Sequence, residues 1–106
     1  MFIRRNPSHI ADVLSAHNLM GLALAQQGRY GEAVEQFQLA LKVDAANPDL
    51  HGNLAFILLQ QKDFAGAIRH YEEYLKSRPP NPFVMNNLAQ ARAGLAAADS
   101  GQRTEP

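Results

Sequence analysis

The amino-acid sequence predicts an all-α fold of two helix-turn-helix units closed by a C-terminal capping helix, and three observations carry that prediction. The chain repeats itself at a spacing of 34 residues. Each repeat carries apolar residues at three- and four-residue spacing, which is the period of an amphipathic helix and not the alternation of a strand. Prolines fall between these stripes, where the first turn of a new helix tolerates them and a helix interior does not.

Shifting the chain by 34 residues matches His17 to His51, Leu24 to Leu58, Gln26 and Gln27 to Gln60 and Gln61, Ala33 to Ala67, Leu41 and Lys42 to Leu75 and Lys76, and Asn47 to Asn81. In the same register Met20, Gly21, Tyr30, Val34 and Phe37 meet Leu54, Ala55, Phe64, Ile68 and Tyr71, keeping size and polarity. A further step carries Pro48, Asn53, Leu54 and Ala55 onto Pro82, Asn87, Leu88 and Ala89, and there the repetition stops. Leu24 and Leu58 are answered by Arg92, a charge where an apolar residue would face a second helix. The last helix therefore reads as a solvated cap.

The elements follow in order. Residues 1–13 form an N-terminal segment and helix extension, with Ser8 as the expected N-cap ahead of Ile10, Ala11 and Leu14. Residues 14–47 form the first unit: a first helix with the stripe Ala16, Met20, Ala23, Leu24, a turn at Gly28-Arg29-Tyr30-Gly31, and a second helix with the stripe Ala33, Val34, Phe37, Ala40, Leu41. Residues 48–81 repeat this with Leu50, Leu54, Ile57, Leu58, a turn at Lys62-Asp63-Phe64, and Ala67, Ile68, Tyr71, Leu75. Asn47-Pro48-Asp49 and Pro79-Pro80-Asn81-Pro82 are the corners. Residues 82–98 form the capping helix, and residues 99–106, with no apolar side chain after Asp99, are expected to be disordered.

Composition excludes much. Among 106 residues, ten Lys and Arg balance ten Asp and Glu and are scattered, which argues against a nucleic-acid partner, since phosphate binding needs clustered positive charge. No Cys means no disulfide, no thiolate metal site and no cysteine nucleophile. Met1-Phe2-Ile3-Arg4-Arg5-Asn6-Pro7 has two arginines but no apolar run behind them, so neither a secretory signal nor a span of about 20 apolar residues is expected, and the cytoplasm is the expected location. No phosphate loop, metal motif or catalytic constellation is present, and neither enzyme activity nor a cofactor is expected. His17 and His51 fall on equivalent faces of neighbouring first helices, but the repeat places no third ligand, and packing is the expected role.

The motif His17-x2-Met20-Gly21-x2-Leu24 followed by Ala33-x3-Phe37, and its second copy His51-x2-Leu54-Ala55-x2-Leu58 followed by Ala67-x3-Tyr71 with Pro79, resembles the tetratricopeptide repeat. The resemblance covers about residues 14 to 95. The pattern departs from the family at His17 and His51, where Trp is usual, and at Tyr74, where a small residue like Ala40 is expected. It implies a short right-handed α-solenoid in which small residues such as Gly21, Ala33, Ala55 and Ala67 let antiparallel helices approach, while Phe37 and Tyr71 fill the space between units.

What the resemblance further implies is protein binding in a concave groove lined by first helices. On that geometry the groove carries Ser15, Asn18, Leu22, Ala25 and Gln26, then Asp49, Asn53, Phe56, Leu59 and Gln60, then Phe83, Asn86, Asn87 and Gln90. Leu22, Phe56, Leu59 and Phe83 are apolar where burial inside a unit does not require it. Asn53 and Asn87 serve either ligand contact or bonding between adjacent repeats. The basic clamp that binds acidic chaperone tails is not reproduced, because Asn18, Leu22, Phe83 and Asn87 stand where Lys or Arg would be needed. The expected ligand is a protein or peptide segment that is apolar or amide-bonding.

Three alternatives stay open. Phe2 and Ile3 fold back over the groove; the chain assembles with itself through the apolar groove or an open repeat end; or it is an end fragment of a longer repeat protein. Glu32, Glu35, Arg69, Glu72, Glu73 and Lys76 are expected on a solvated convex face. Two full units and a cap fall below the roughly three repeats usually needed for independent stability, so completion by a partner is expected.

Overall fold

The computed structural model describes the backbone of residues 7–102 and the side chains of residues 10–99. Five helices follow in order: α1 (Pro7–Gln26), α2 (Tyr30–Val43), α3 (Pro48–Gln60), α4 (Phe64–Leu75) and α5 (Pro82–Gln102). Helix α1 packs on α2 and α3 on α4 as the two hairpins, while α2 packs on α3 and α4 on α5 to stack them into a short solenoid. Phe2 and Ile3, which in one of the alternatives fold back over the groove, lie outside the described residues.

Local chemistry fixes the helix ends. The repeated Asn47 and Asn81 are N-caps: Asn47 Oδ1 accepts from the Leu50 amide at 3.1 Å and Asn81 Oδ1 from the Val84 amide at 3.0 Å, each ahead of a proline that needs no partner for a missing N–H. Asp63 caps α4 by accepting from the Gly66 amide at 3.0 Å. Arg29, its counterpart before α2, provides no side-chain cap. The first helices end alike, with Gly28 at φ 79° and Lys62 at φ 65°, both left-handed. In each turn the amide two residues beyond the helix reaches back, Gly28 to Ala25 and Lys62 to Leu59, and the next amide reaches Leu24 and Leu58.

The core is two thin layers. Between the units lie Phe37 and Ala40 of α2 with Leu50, Leu54, Ile57 and Leu58 of α3; between the second unit and the cap lie Ala55, Tyr71, Val84 and Leu88. Three repeat positions carry the stacking: Leu50 and Val84, Leu54 and Leu88, Ile57 and Ala91 are at most 4 % exposed. Burying a side chain of this size contributes about 1.5–3 kcal/mol.

Several expectations need correction. Ala16, Met20 and Ala23 hold these same three positions in α1, yet all are exposed, Met20 by 51 %. Their stripe is the face that packs on a preceding unit, and no preceding unit lies in the described chain. Helix α1 buries Gly21 instead and half-buries Leu14, His17 and Leu24. Pro7 begins that helix, so Ser8 is its second residue and not its cap. Tyr30 and Gly31 belong to α2 and not to the turn, since the turn closes at Arg29. Helix α5 runs through Gln102, into the segment expected to be disordered, because Ala96, Ala97 and Ala98 favour its continuation.

Tyr74 stands where a small residue was expected, and its fit has a specific cause. A side chain on Gly52 would begin 3.1 Å from the Tyr74 ring, so glycine on α3 makes the room that tyrosine on α4 takes. The Tyr74 hydroxyl then accepts from Asn81 Nδ2 at 3.2 Å, tying α4 to the cap residue of α5.

Candidate functional site

First helices α1, α3 and α5 share one open face, the groove, whose hollows include an apolar one and a polar one. The apolar hollow, about 310 Å³, is walled by Leu22 and Ala25 of α1, Tyr30 of α2, and Phe56 and Ile57 of α3, with Gln26 and Gln60 at its rim. The polar hollow, about 410 Å³, is lined by Asn18 of α1, Asp49, Gly52 and Asn53 of α3, Tyr71 and Tyr74 of α4, and Asn81, Phe83 and Val84 around the start of α5. Phe56 separates the two. It walls the apolar hollow, and its ring lies 5.8 Å from that of Phe83 in a tilted aromatic pair.

The expected groove residues divide four ways, with Asn18 and Asn53, bonded to each other, as the fourth group. Leu22, 37 % exposed, Ala25, Phe56 and the 59 % exposed Phe83 are accessible on the hollows. Asn86 and Gln90 are exposed on α5 but line neither hollow. Leu59 and Asn87 are corrections. Leu59 is only 8 % exposed and belongs to the core, because α3 is the central helix and has packed helices on more sides than α1. Asn87 is 8 % exposed, and its Nδ2 donates to the Tyr71 hydroxyl at 3.0 Å. Burial raises the Tyr71 phenol above its ordinary range, and the bond from Asn87 partly offsets that rise.

Asn53 is likewise engaged between repeats: its Nδ2 donates to Asn18 Oδ1 at 2.8 Å. Unlike Asn87 it is only half-buried, and the bond uses one donor and one acceptor. Asn18 Nδ2 and Asn53 Oδ1 therefore keep hydrogen-bonding capacity toward the polar hollow. The groove's charged contact is an exposed ion pair at its rim, Arg78 to Asp49 at 3.2 Å. Tyr30, Tyr74 and Asn81 line the hollows although the spacing of the first helices does not point to them, since they come from second helices and a corner.

The two repeated histidines pack rather than face each other across the groove. His17 Nδ1 lies 2.8 Å from Gln36 Oε1 on α2, and the buried His51 bridges the Ala45 carbonyl at 2.8 Å and His70 Nδ1 at 2.9 Å. Among the described residues no group of three His, Asp or Glu is placed to hold a metal ion. On the opposite face the acidic and basic side chains pair along second helices, Arg29 with Glu32 at 2.7 Å and Lys76 with Glu73 at 2.7 Å. Arg92, the charged cap residue, reaches Glu72 at 3.5 Å.

Stacked helical hairpins with an open face define a helical-repeat protein. A family model described as tetratricopeptide repeat matches residues 3–82, and the chain belongs to that family. Its repeats are generally protein-interaction modules without catalytic function. No curated protein matches the chain significantly. No described helix is long and apolar enough to cross a membrane.

Proposed function

We propose that this chain is a non-enzymatic adaptor that holds an extended segment of another protein in its groove. The observation that carries the reading is the apolar hollow of Leu22, Ala25, Tyr30, Phe56 and Ile57 beside the amide-lined one. An apolar side chain of the ligand seats in the first, with Gln26 and Gln60 at its mouth. The ligand backbone crosses Phe56 and meets Asn18 and Asn53, whose remaining amide groups offer a donor and an acceptor. Among the described residues no Lys or Arg lines either hollow, so acidic ligands gain nothing from these walls. The absence of Cys suits action in a reducing cytoplasm.

Selection from a random peptide library tests the reading. Enriched peptides should share a large apolar residue, and Leu22→Ser or Phe56→Ser should weaken them by roughly tenfold or more, as expected for a central anchor. A convex-face variant, Glu72→Gln, should bind as the parent does. Enrichment of acidic peptides, or equal binding by all variants, would overturn the assignment.

A further inference from the structure

The outer face of α2 carries a pattern that neither the fold nor the groove uses. Glu35, Gln38, Leu39 and Lys42 recur at the i, i+3, i+4 and i+7 spacing of one helix face and line a shallow hollow of about 270 Å³. Leu39 is 42 % exposed, and Val43 beside it 48 %. The second unit is an internal control: its equivalents of Leu39 and Val43 are Glu73 and Ser77. The repeat therefore does not need apolar residues here. The acidic residues there are already paired, Glu73 with Lys76 of the same unit and Glu72 with Arg92 of α5. The ion pairs among the described residues leave out both Glu35 and Lys42.

The order of these residues is self-complementary. When two α2 helices pack antiparallel about a two-fold axis between Gln38 and Leu39, Glu35 of each copy falls opposite Lys42 of the other. The charge contact is made twice, and the two Leu39 side chains meet beside the axis. A two-fold interface requires this reciprocity, since residue i must meet residue j and j must meet i. A single charge sign, or a leucine off the centre, would not give it.

We propose that the outer face of α2 is a self-association surface that pairs two copies of this chain through Leu39 and reciprocal contacts between Glu35 and Lys42. This proposal does not rest on the groove reading, because none of its residues lines either groove hollow. Helix α2 has 14 residues, about 21 Å at 1.5 Å per residue, so the pairing is a small interface and its dimer a weak one.

Sedimentation equilibrium up to millimolar concentration tests it, with circular dichroism confirming that each variant stays helical. The parent should form a dimer that dissociates on dilution and weakens as salt is raised. Glu35→Lys alone and Lys42→Glu alone each set like charges opposite one another twice and should raise the dissociation constant roughly tenfold or more. The double variant E35K/K42E restores opposite signs and should recover most of the affinity, while Leu39→Glu should leave monomer. A parent that stays monomeric at millimolar concentration overturns the proposal. So does a double variant as weak as the singles, or a dimer that Leu39→Glu leaves intact.

Discussion

Nδ1 of His51 on α3 lies 2.9 Å from Nδ1 of His70 on α4, the rings stacked with centroids 5.1 Å apart. The backbone decides which ring donates. The Ala45 carbonyl can only accept, so His51 donates from Nε2 and presents an unprotonated Nδ1, and His70 donates its Nδ1–H to it. A second proton on His70 must go to Nε2, placing a charge in a half-buried site beside His51 and Arg69, with Glu73 and Asp63 as the opposing carboxylates. Burial first, then repulsion from His51 in its protonated form and from Arg69, push its value down to about 4 from 6.5.

The pH dependence follows with a definite sign. Above about 6.5 His70 is neutral in both folded and unfolded chains and its contribution is fully present. As pH falls from 6.5 toward 4 the unfolded chain takes up the proton first, and stability is lost by about 1–2 kcal/mol after allowance for solvent screening. His70→Gln copies the first unit, where His17 meets Gln36, and should keep the bond while flattening this loss. Urea midpoints between pH 7 and 4 measure it; an unchanged slope in the variant would refute the role of His70.

Lys62 holds a left-handed conformation that Gly28 supplies in the first unit. A side chain there costs about 1 kcal/mol or more relative to glycine, so Lys62→Gly should raise stability by roughly 0.5–1 kcal/mol, and Gly28→Ala should lower it by a similar amount. Thermal or urea denaturation of the pair checks both signs at once.

Gly21 is required by close approach. A side chain there would begin 2.7 Å from Cε2 of the fully buried Phe37 ring, which has nowhere to move. Gly21→Ala should therefore destabilise by about 1–3 kcal/mol despite the better helix propensity of alanine. Gly31, with nothing within 4 Å of its would-be side chain, should gain by roughly 0.5–1 kcal/mol on the same substitution. Equal effects at the two positions would show that propensity, and not the Phe37 contact, governs.

Asn87 bonds the Tyr71 hydroxyl inside the layer between α4 and α5. Asn87→Ala leaves a buried hydroxyl without this partner and should cost about 1–3 kcal/mol, with hydrogen exchange in α5 accelerated more than in α1. Asn53→Ala removes a half-buried bond to Asn18 and should cost less, within about 1 kcal/mol.

The candidate groove was legible in part. Leu22, Phe56 and Phe83 reach the hollows because the repeat period places them on one side of each first helix. Leu59 sits at the position of Ala25 one unit earlier, and periodicity treats the two alike; only the packing around α3 closes over the former. Asn87 looked like a groove amide for the same reason. Its engagement depends on a tyrosine 16 residues away in sequence, which no local pattern indicates.

By itself the sequence determined the helices, their turns, the 34-residue period and the family, because these follow from spacing along the chain: apolar stripes, prolines at corners and small residues at helix contacts. Tertiary structure alone decided which copy of each repeated position is buried. Met20 and Leu54 are equivalent in the repeat, yet one is 51 % and the other 1 % exposed. Burial is a property of neighbours in space, and among the described residues no preceding unit packs on the first as the first packs on the second. The engagement of Asn53 by Asn18 has the same origin in the stacking of one unit upon the next, while Gly52 makes room for Tyr74 inside one unit, where α3 packs on α4.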